Sequence, residues 1–137
     1  MAGETTLAIV GNLTADPELR TTQSSKQVCN VTVASTPRVF DKQTNQWTDG
    51  QALFLRCTAW GDFATHIAST MSKGMRVIAQ GRLTQRSWQD EQGANHTVIE
   101  MQLDEIGPSL RYATAQVTRI SRQQGHQPAG GYTGGAS

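Results

Sequence analysis

Apolar and polar residues alternate along several short segments of the chain, a pattern that predicts β-strands with one buried face. The predicted strands cover residues 7–13, 29–36, 52–60, 75–88 and 97–106. The fourth strand is long, and a bend is predicted near Gly81, because glycine within a strand often marks a bend or bulge. A hairpin tip is predicted from Gln89 to His96, around Gly93.

A single helix is predicted between the third and fourth strands. Asp62 can cap its start, Gly74 can end it, and Phe63, Ile67 and Met71 fall on one face. Three strands, a helix and two more strands are the element order of the OB-fold, a five-stranded Greek-key barrel. The order predicts an all-β fold with one short helix, and another small β-barrel is the alternative. Residues 111–120 are expected to add a C-terminal extension strand.

The chain has 137 residues, of which 36% are apolar, so part of its length is not core. The last residues are rich in Gly and Gln and carry one large apolar side chain, Tyr132. Such a segment cannot bury enough apolar surface to offset the entropy of ordering it. We therefore expect a folded domain over residues 1–120 and a disordered tail over residues 121–137.

The residues offer little to catalysis. The three histidines are far apart in sequence, and none has metal-ligand spacing to a cysteine. The acidic pair Asp104-Glu105 is predicted to point to opposite faces of a strand. Cys29 and Cys57 lie on the apolar sides of their strands, as structural thiols do. We expect no enzyme, no cofactor and no metal. With no apolar run long enough to span a membrane and no secretory signal, the predicted location is the cytoplasm.

A positive signal comes from the opposite face of the strands. In the third strand that face carries Phe54, Arg56, Thr58 and Trp60. The fourth strand repeats the arrangement, and the neighbouring segment 38–51 adds Phe40 and Trp47; the fourth-strand side chains are Arg76, Gln80, Arg82, Arg86 and Trp88. Aromatic rings interleaved with arginines suit a single-stranded nucleic acid, whose bases stack and whose phosphates are negative. The alternative is that these rings pack against a loop or another subunit.

The charge distribution agrees with a nucleic-acid ligand. The formal net charge is only +1, but Arg20 to Trp88 contains nine Lys and Arg against three Asp and Glu. The segments on either side are acidic. A basic middle segment is sufficient for a groove that follows a phosphate backbone, because screening limits the relevant field to about 10 Å.

Several motifs together resemble the bacterial single-stranded DNA-binding proteins, and the actinobacterial branch most closely. They are VGNL (10–13), DPELR (16–20), VASTPR (33–38), FLRCTAWG (54–61), KG (73–74), GRLTQRSW (81–88) and DEIGPSLRYATA (104–115). The resemblance covers residues 5 to about 120.

The resemblance implies an OB-fold homotetramer that binds single-stranded DNA in replication, recombination and repair, near the nucleoid. By resemblance the stacking residues are Phe40, Phe54, Trp60 and Trp88, and the phosphate-binding residues include Arg56, Lys73 and Arg86. Strand phase and proximity add Arg38 and Arg82. Trp47 has no clear family counterpart. In the actinobacterial branch the segment matching residues 111–120 clamps two subunits together.

The family usually ends in an acidic peptide that docks onto replication and repair proteins. This sequence has no acidic residue after Glu105. It is therefore either a shortened chain or a paralogue without the peptide. Replication and repair proteins stay possible partners, but the peptide that would dock onto them is absent from this sequence. Two other functions stay open: an RNA-binding OB protein, and an oligomeric structural module with no nucleic-acid ligand.

Overall fold

Strands dominate the computed structural model, which describes residues 4–120. Within this range lie eight strands and one helix: β1 Thr6–Leu13, β2 Glu18–Thr21, β3 Gln27–Ser35, β4 Arg38–Asp41, β5 Gln46–Asp49, β6 Leu53–Trp60, α1 Asp62–Thr70, β7 Arg76–Gln89 and β8 Asn95–Pro108. The predicted tail, residues 121–137, lies outside the described residues. The helix of this part of the chain is nine residues long, too short to cross a membrane.

Five of the strands close into a barrel, in the order β1-β7-β8-β6-β3 and back to β1. Closure is made by Asn12 and Leu13 of β1, which pair with Ala34 and Val33 of β3. The barrel neighbours are antiparallel except β6 and β8, which run parallel. The five-stranded Greek-key barrel predicted from the sequence is therefore confirmed.

The barrel is filled by the apolar positions of the alternating pattern. The fully buried side chains of the core include Leu13, Val33, Cys57, Val77 and Met101. Helix α1 adds Ala64 and Ile67 to the same cluster, and Met71 follows directly after it. The predicted apolar face of the helix thus packs on the core. The core uses the inward side chains of the strands, so their outward side chains are available for contact with a ligand.

A bulge lies in the long β7–β8 hairpin. Gln80 pairs with Glu105, but the next residue, Gly81, pairs with Leu103, so Asp104 is the extra residue. A Cβ at Gly81 would collide with the carbonyl oxygen of Gln102, which explains the glycine. The irregularity is where the bend was predicted. It also corrects one expectation: Asp104 and Glu105 are both exposed, because the bulge interrupts the alternation of faces.

Three strands were not predicted from the sequence, and the helix differs from its prediction at both ends. Strand β2 adds to the edge of β3, and β4 and β5 form a separate hairpin; all three are four residues long and lack clear alternation. Helix α1 begins after Gly61, whose φ of 73° suits glycine, so Asp62 lies in the first turn and is not the cap. The helix also ends at Thr70, before Gly74.

The predicted C-terminal extension strand is absent from the described single chain. Residues 109–120 follow β8 without strand assignment, and residues 110–120 are all exposed. A segment becomes a strand only where it can form hydrogen bonds with the free edge of a sheet. The five barrel strands have no free edge because they close on one another, and β2 is the strand at the remaining edge.

Candidate nucleic-acid interface

Strands β6, β8 and β7 lie side by side and present one continuous outer face. Arg56 of β6 is opposite Glu100 of β8, which is opposite Thr84 of β7. One step along, Thr58, Gln102 and Arg82 form the next row. We call this surface the aromatic–basic face; its outward residues are Phe54, Arg56, Thr58, Trp60, Arg82, Thr84, Arg86, Trp88, His96, Val98, Glu100 and Gln102.

Three large aromatic side chains of this face are open to solvent. Phe54 is 63% exposed, Trp60 48% and Trp88 42%. Each ring therefore offers a surface to a stacking partner in the single chain. The indole of Trp60 is also oriented, because its Nε1 donates a hydrogen bond to Oε1 of Gln102 at 3.2 Å.

Trp88 belongs to a stack at the tip of the β7–β8 hairpin. His96 lies opposite it in register, with ring centroids 5.2 Å apart and an interplanar angle of 21°. The guanidinium carbon of Arg86 lies 5.0 Å from the Trp88 ring centroid, within cation–π range. The sequence analysis did not select His96, although equal distance from the hairpin tip could have placed it beside Trp88.

Asp90 fixes the imidazole of His96. Its Oδ2 lies 2.8 Å from Nε2 of His96, and its Oδ1 accepts the backbone N–H of Gln92 and of Ala94, each at 2.9 Å. The hydrogen bond from His96, followed by those from the backbone, lowers the pKa of Asp90. The carboxylate is thus ionised and only accepts, so the hydrogen on Nε2 points to it.

The arginines of the face are paired with carboxylates. Oε2 of Glu100 lies 3.0 Å from Nη2 of Arg86 and 3.8 Å from Nε of Arg56. Arg82 contacts Asp104 at 3.2 Å and Glu4 at 3.8 Å. Strand phase predicted that the three arginines face outward, but it did not predict their acidic partners. Glu100 and Asp104 come into contact through the register of β8, and Glu4 lies just before β1, which pairs with β7.

The β4–β5 hairpin, a two-stranded sheet separate from the barrel sheet, carries two of the predicted residues, Phe40 and Arg38. Phe40 packs edge-on against Trp47, with centroids 5.3 Å apart, so Trp47 is the packing partner of a predicted stacking residue. Arg38 contacts Asp49 at 3.5 Å and donates to the carbonyl of Trp47 at 3.4 Å. Within residues 4–120 no ring contact joins Phe40 or Trp47 to the aromatic–basic face.

Lys73 lies in the loop between α1 and β7. Its backbone N–H donates to Oδ1 of Asp16 at 2.8 Å, and the carbonyl of the next residue, Gly74, accepts from Asn12 at 2.9 Å. Asn12 is in register with Ala34, and Ala34 with Phe54. The loop therefore contacts Asn12, whose register partner Ala34 is also the register partner of Phe54, and the Lys73 side chain is exposed.

A second aromatic–basic group follows β8. The guanidinium carbons of Arg76 and Arg111 lie 5.6 Å and 6.0 Å from the ring centroid of Tyr112. Hydrogen bonding to Arg111 and the charges of both arginines lower the pKa of the Tyr112 hydroxyl. Sequence reasoning did not select this group, since nothing in the local pattern brings residues 76 and 112 together.

Both cysteines of the described residues are free and buried. Burial raises the pKa of Cys57 to about 12 and also raises that of Cys29, so both thiols are protonated and unreactive at neutral pH. Among residues 4–120 no three His, Cys, Asp or Glu are grouped as a metal site.

The model of the single-strand binding protein family matches residues 5–109, which include the whole barrel. The chain belongs to this family.

Two curated relatives illustrate the similarity within this family. A single-stranded DNA-binding protein of Bifidobacterium longum is 67% identical over 125 residues, which cover 91% of this chain and 57% of that protein. One of Mycobacterium bovis is 56% identical over 141 residues, covering 100% of this chain and 86% of the relative. The chain thus spans little more than half the length of the Bifidobacterium protein.

Solved structures of the same kind share the fold. A small single-stranded DNA-binding protein from Streptomyces coelicolor is 30% identical, with a TM-score of 0.68 over 79% of this chain and 96% of that one. A Plasmodium falciparum SSB in complex with ssDNA gives a TM-score of 0.69 at 18% identity, covering 80% and 97% of the two chains. The second likeness bears on the fold alone.

Proposed function

We propose that this chain binds single-stranded DNA with little dependence on sequence and protects it during replication, recombination and repair. The observation that carries the proposal is the aromatic–basic face, on which Phe54, Trp60 and Trp88 expose their rings beside Arg56 and Arg86. Bases stack on aromatic rings irrespective of sequence, and arginines neutralise phosphates. Membership of the single-strand binding protein family and the names of its relatives support the same ligand.

The residues proposed to contact DNA fall into two groups. Phe40, Phe54, Trp60 and Trp88 stack on bases, and Arg38, Arg56, Lys73, Arg82 and Arg86 contact phosphates. Six of the nine lie on the aromatic–basic face, and the β4–β5 hairpin and the loop after α1 supply the others. The hairpin and the loop would extend the path of the strand beyond the barrel.

The protein is proposed to act as a homotetramer, without catalysis and near the nucleoid in the cytoplasm. Val10 and Ile78 support assembly, because they are in register on the outer face of β1 and β7 and are 39% and 49% exposed. Leu110, Val117 and Ile120 are more than half exposed and join no strand of the single chain. Apolar surface of this kind suits contact with further copies of the chain.

Tryptophan fluorescence tests the ligand directly. Trp60 and Trp88 lie on the proposed contact surface, so a saturating single-stranded oligopyrimidine should strongly quench emission, whereas duplex DNA of matched length should not. Competition by an RNA strand of the same sequence tests the RNA-binding alternative. If emission is unchanged at a strand concentration that shifts the protein in a gel, the stacking model is wrong.

A further inference from the structure

Glu100 has an unusual position in the aromatic–basic face. It lies on β8, the middle strand of the three, between Arg56 on β6 and Arg86 on β7. One oxygen, Oε2, contacts both guanidinium groups, at 3.0 Å from Arg86 and 3.8 Å from Arg56. The Glu100 side chain is 14% exposed, whereas those of Arg56 and Arg86 are 52% and 59% exposed. A mostly buried negative charge thus lies below two exposed positive ones.

We propose that Glu100 opposes the binding of single-stranded DNA phosphates, and so sets the affinity and salt dependence of the site. The inference rests on the proposed function. A guanidinium has five N–H donors, so Arg56 and Arg86 can each contact a phosphate while still bonded to Glu100. The phosphate then approaches a carboxylate of the same sign that cannot move away, because its own strand and two arginines hold it.

Burial makes this effect specific to Glu100. Asp104 is the comparable acid beside Arg82, but its side chain is 45% exposed, so water and salt screen its charge. The charge of Glu100 is screened less. If a bound phosphate lies about 7 Å from the Glu100 carboxylate, the repulsion between these two negative charges changes affinity about threefold in a water-like dielectric. The change is larger where the site excludes water.

The contact of Glu100 with both arginines can also act in the opposite direction, by orienting them for DNA, and the experiment must distinguish this effect from repulsion. Glu100 could increase affinity if its main effect were to hold Arg56 and Arg86 in the orientation that DNA needs. Removal of the charge would then weaken binding. The two effects predict opposite signs for the same variant, so a single affinity measurement decides between them.

The test compares Glu100→Gln and Glu100→Met with the unmodified protein, using full-length chains in their native assembly. Gln keeps the shape without the charge, and Met keeps the length without a buried amide in case the Gln variant folds poorly. Affinity for a poly-pyrimidine strand is measured by tryptophan quenching at several salt concentrations, after cooperative melting is verified. Asp104→Asn is the matched control on the same strand.

We expect each Glu100 variant that melts cooperatively to bind at least about threefold more tightly at low salt. The slope of log affinity against log salt should become steeper, by up to about 0.7 for each phosphate newly neutralised. Asp104→Asn should have a smaller effect. Unchanged or weaker binding by the Glu100 variants, while the unmodified protein binds well, would overturn the inference and leave the proposed function standing. If the unmodified protein fails to bind any single strand, the proposed function fails first.

Discussion

Two outer surfaces of the barrel expose apolar side chains, but their neighbours differ. On the aromatic–basic face, Phe54, Trp60 and Trp88 alternate with arginines along β6 and β7. On the outer face of β1 and β7, Val10 and Ile78 are directly paired, and the outward pairs on either side of them are Ala8 with Gln80 and Asn12 with Arg76. Exposed rings among fixed positive charges suit an anionic ligand with flat bases, whereas an uncharged aliphatic pair suits another apolar surface. Exposure alone therefore does not identify a ligand; the side chains that surround the exposed group must also be considered.

The largest expected effect comes from placing a charge in the aliphatic pair. Ile78→Glu should disrupt the proposed tetramer, because a carboxylate buried in an interface without a partner is strongly unfavourable. Light scattering should show about four times 14.9 kDa for the unmodified protein and a lower multiple for the variant. Ile78 is half exposed in the single chain, so each chain should still fold.

Ile78→Leu is the matched control, since it keeps the aliphatic surface and should keep the tetramer. An unchanged mass for Ile78→Glu would mean that this surface is not an interface. An unmodified protein that is monomeric and still binds DNA tightly would contradict the tetramer itself.

On the aromatic–basic face, Trp60→Ala should weaken binding of single-stranded DNA by about 1–3 kcal/mol for each stacked base, or roughly 5- to 150-fold at one site. The variant removes a stacking surface but no charge. The slope of log affinity against log salt should therefore stay nearly constant. Titrations at several salt concentrations, monitored by anisotropy of a labelled strand, give both quantities.

Arg56→Ala is the matched contrast, two residues away on the same face of β6. It removes a positive charge and no ring, so the salt slope should become shallower by about 0.7 per subunit site, and its cost should shrink as salt rises. If Trp60→Ala flattened the slope as much as Arg56→Ala, the division between stacking and charge would be wrong. If neither variant changed affinity, the aromatic–basic face would belong to a protein interface.

The smallest expected effect concerns the hairpin tip. The hydrogen bonds from His96, Ala94 and Gln92 lower the pKa of Asp90 below its ordinary value of 3.8. These bonds therefore stabilise the tip fully at pH above 3.8 and are lost as the pH falls through the lower value in the folded protein. NMR shifts of the Gln92 and Ala94 amides should show this transition in the native protein, with little change in global melting.

Asp90→Asn should abolish the acidic transition of the tip amides, and Glu91→Gln, which changes a neighbouring exposed acid, should preserve it. The same titration in Asp90→Asn as in the native protein would show that this carboxylate does not fix the tip.

Local periodicity was sufficient to predict the barrel strands. In the barrel strands the buried apolar residues fall mainly at alternate positions, because only every second side chain points inward; the buried residues include Val31, Cys57, Val77 and Met101. The same parity placed Arg56 and Trp60 on the outside. Strand β2 and the β4–β5 hairpin were not predicted, because their strands are short and bury no complete face. Their sequences therefore show no alternation of apolar and polar residues.

The alternation of residues along each strand predicts which side chains face inward and which rings and arginines face outward, and the element order predicts a five-stranded barrel. Which residues of different strands become neighbours is visible only in the folded chain. The contact of Glu100 with Arg56 and Arg86, the stack of His96 on Trp88 and the pairing of Val10 with Ile78 all depend on register. Register is a cooperative outcome of closing the whole barrel around one core, and the parity of a single strand does not contain it.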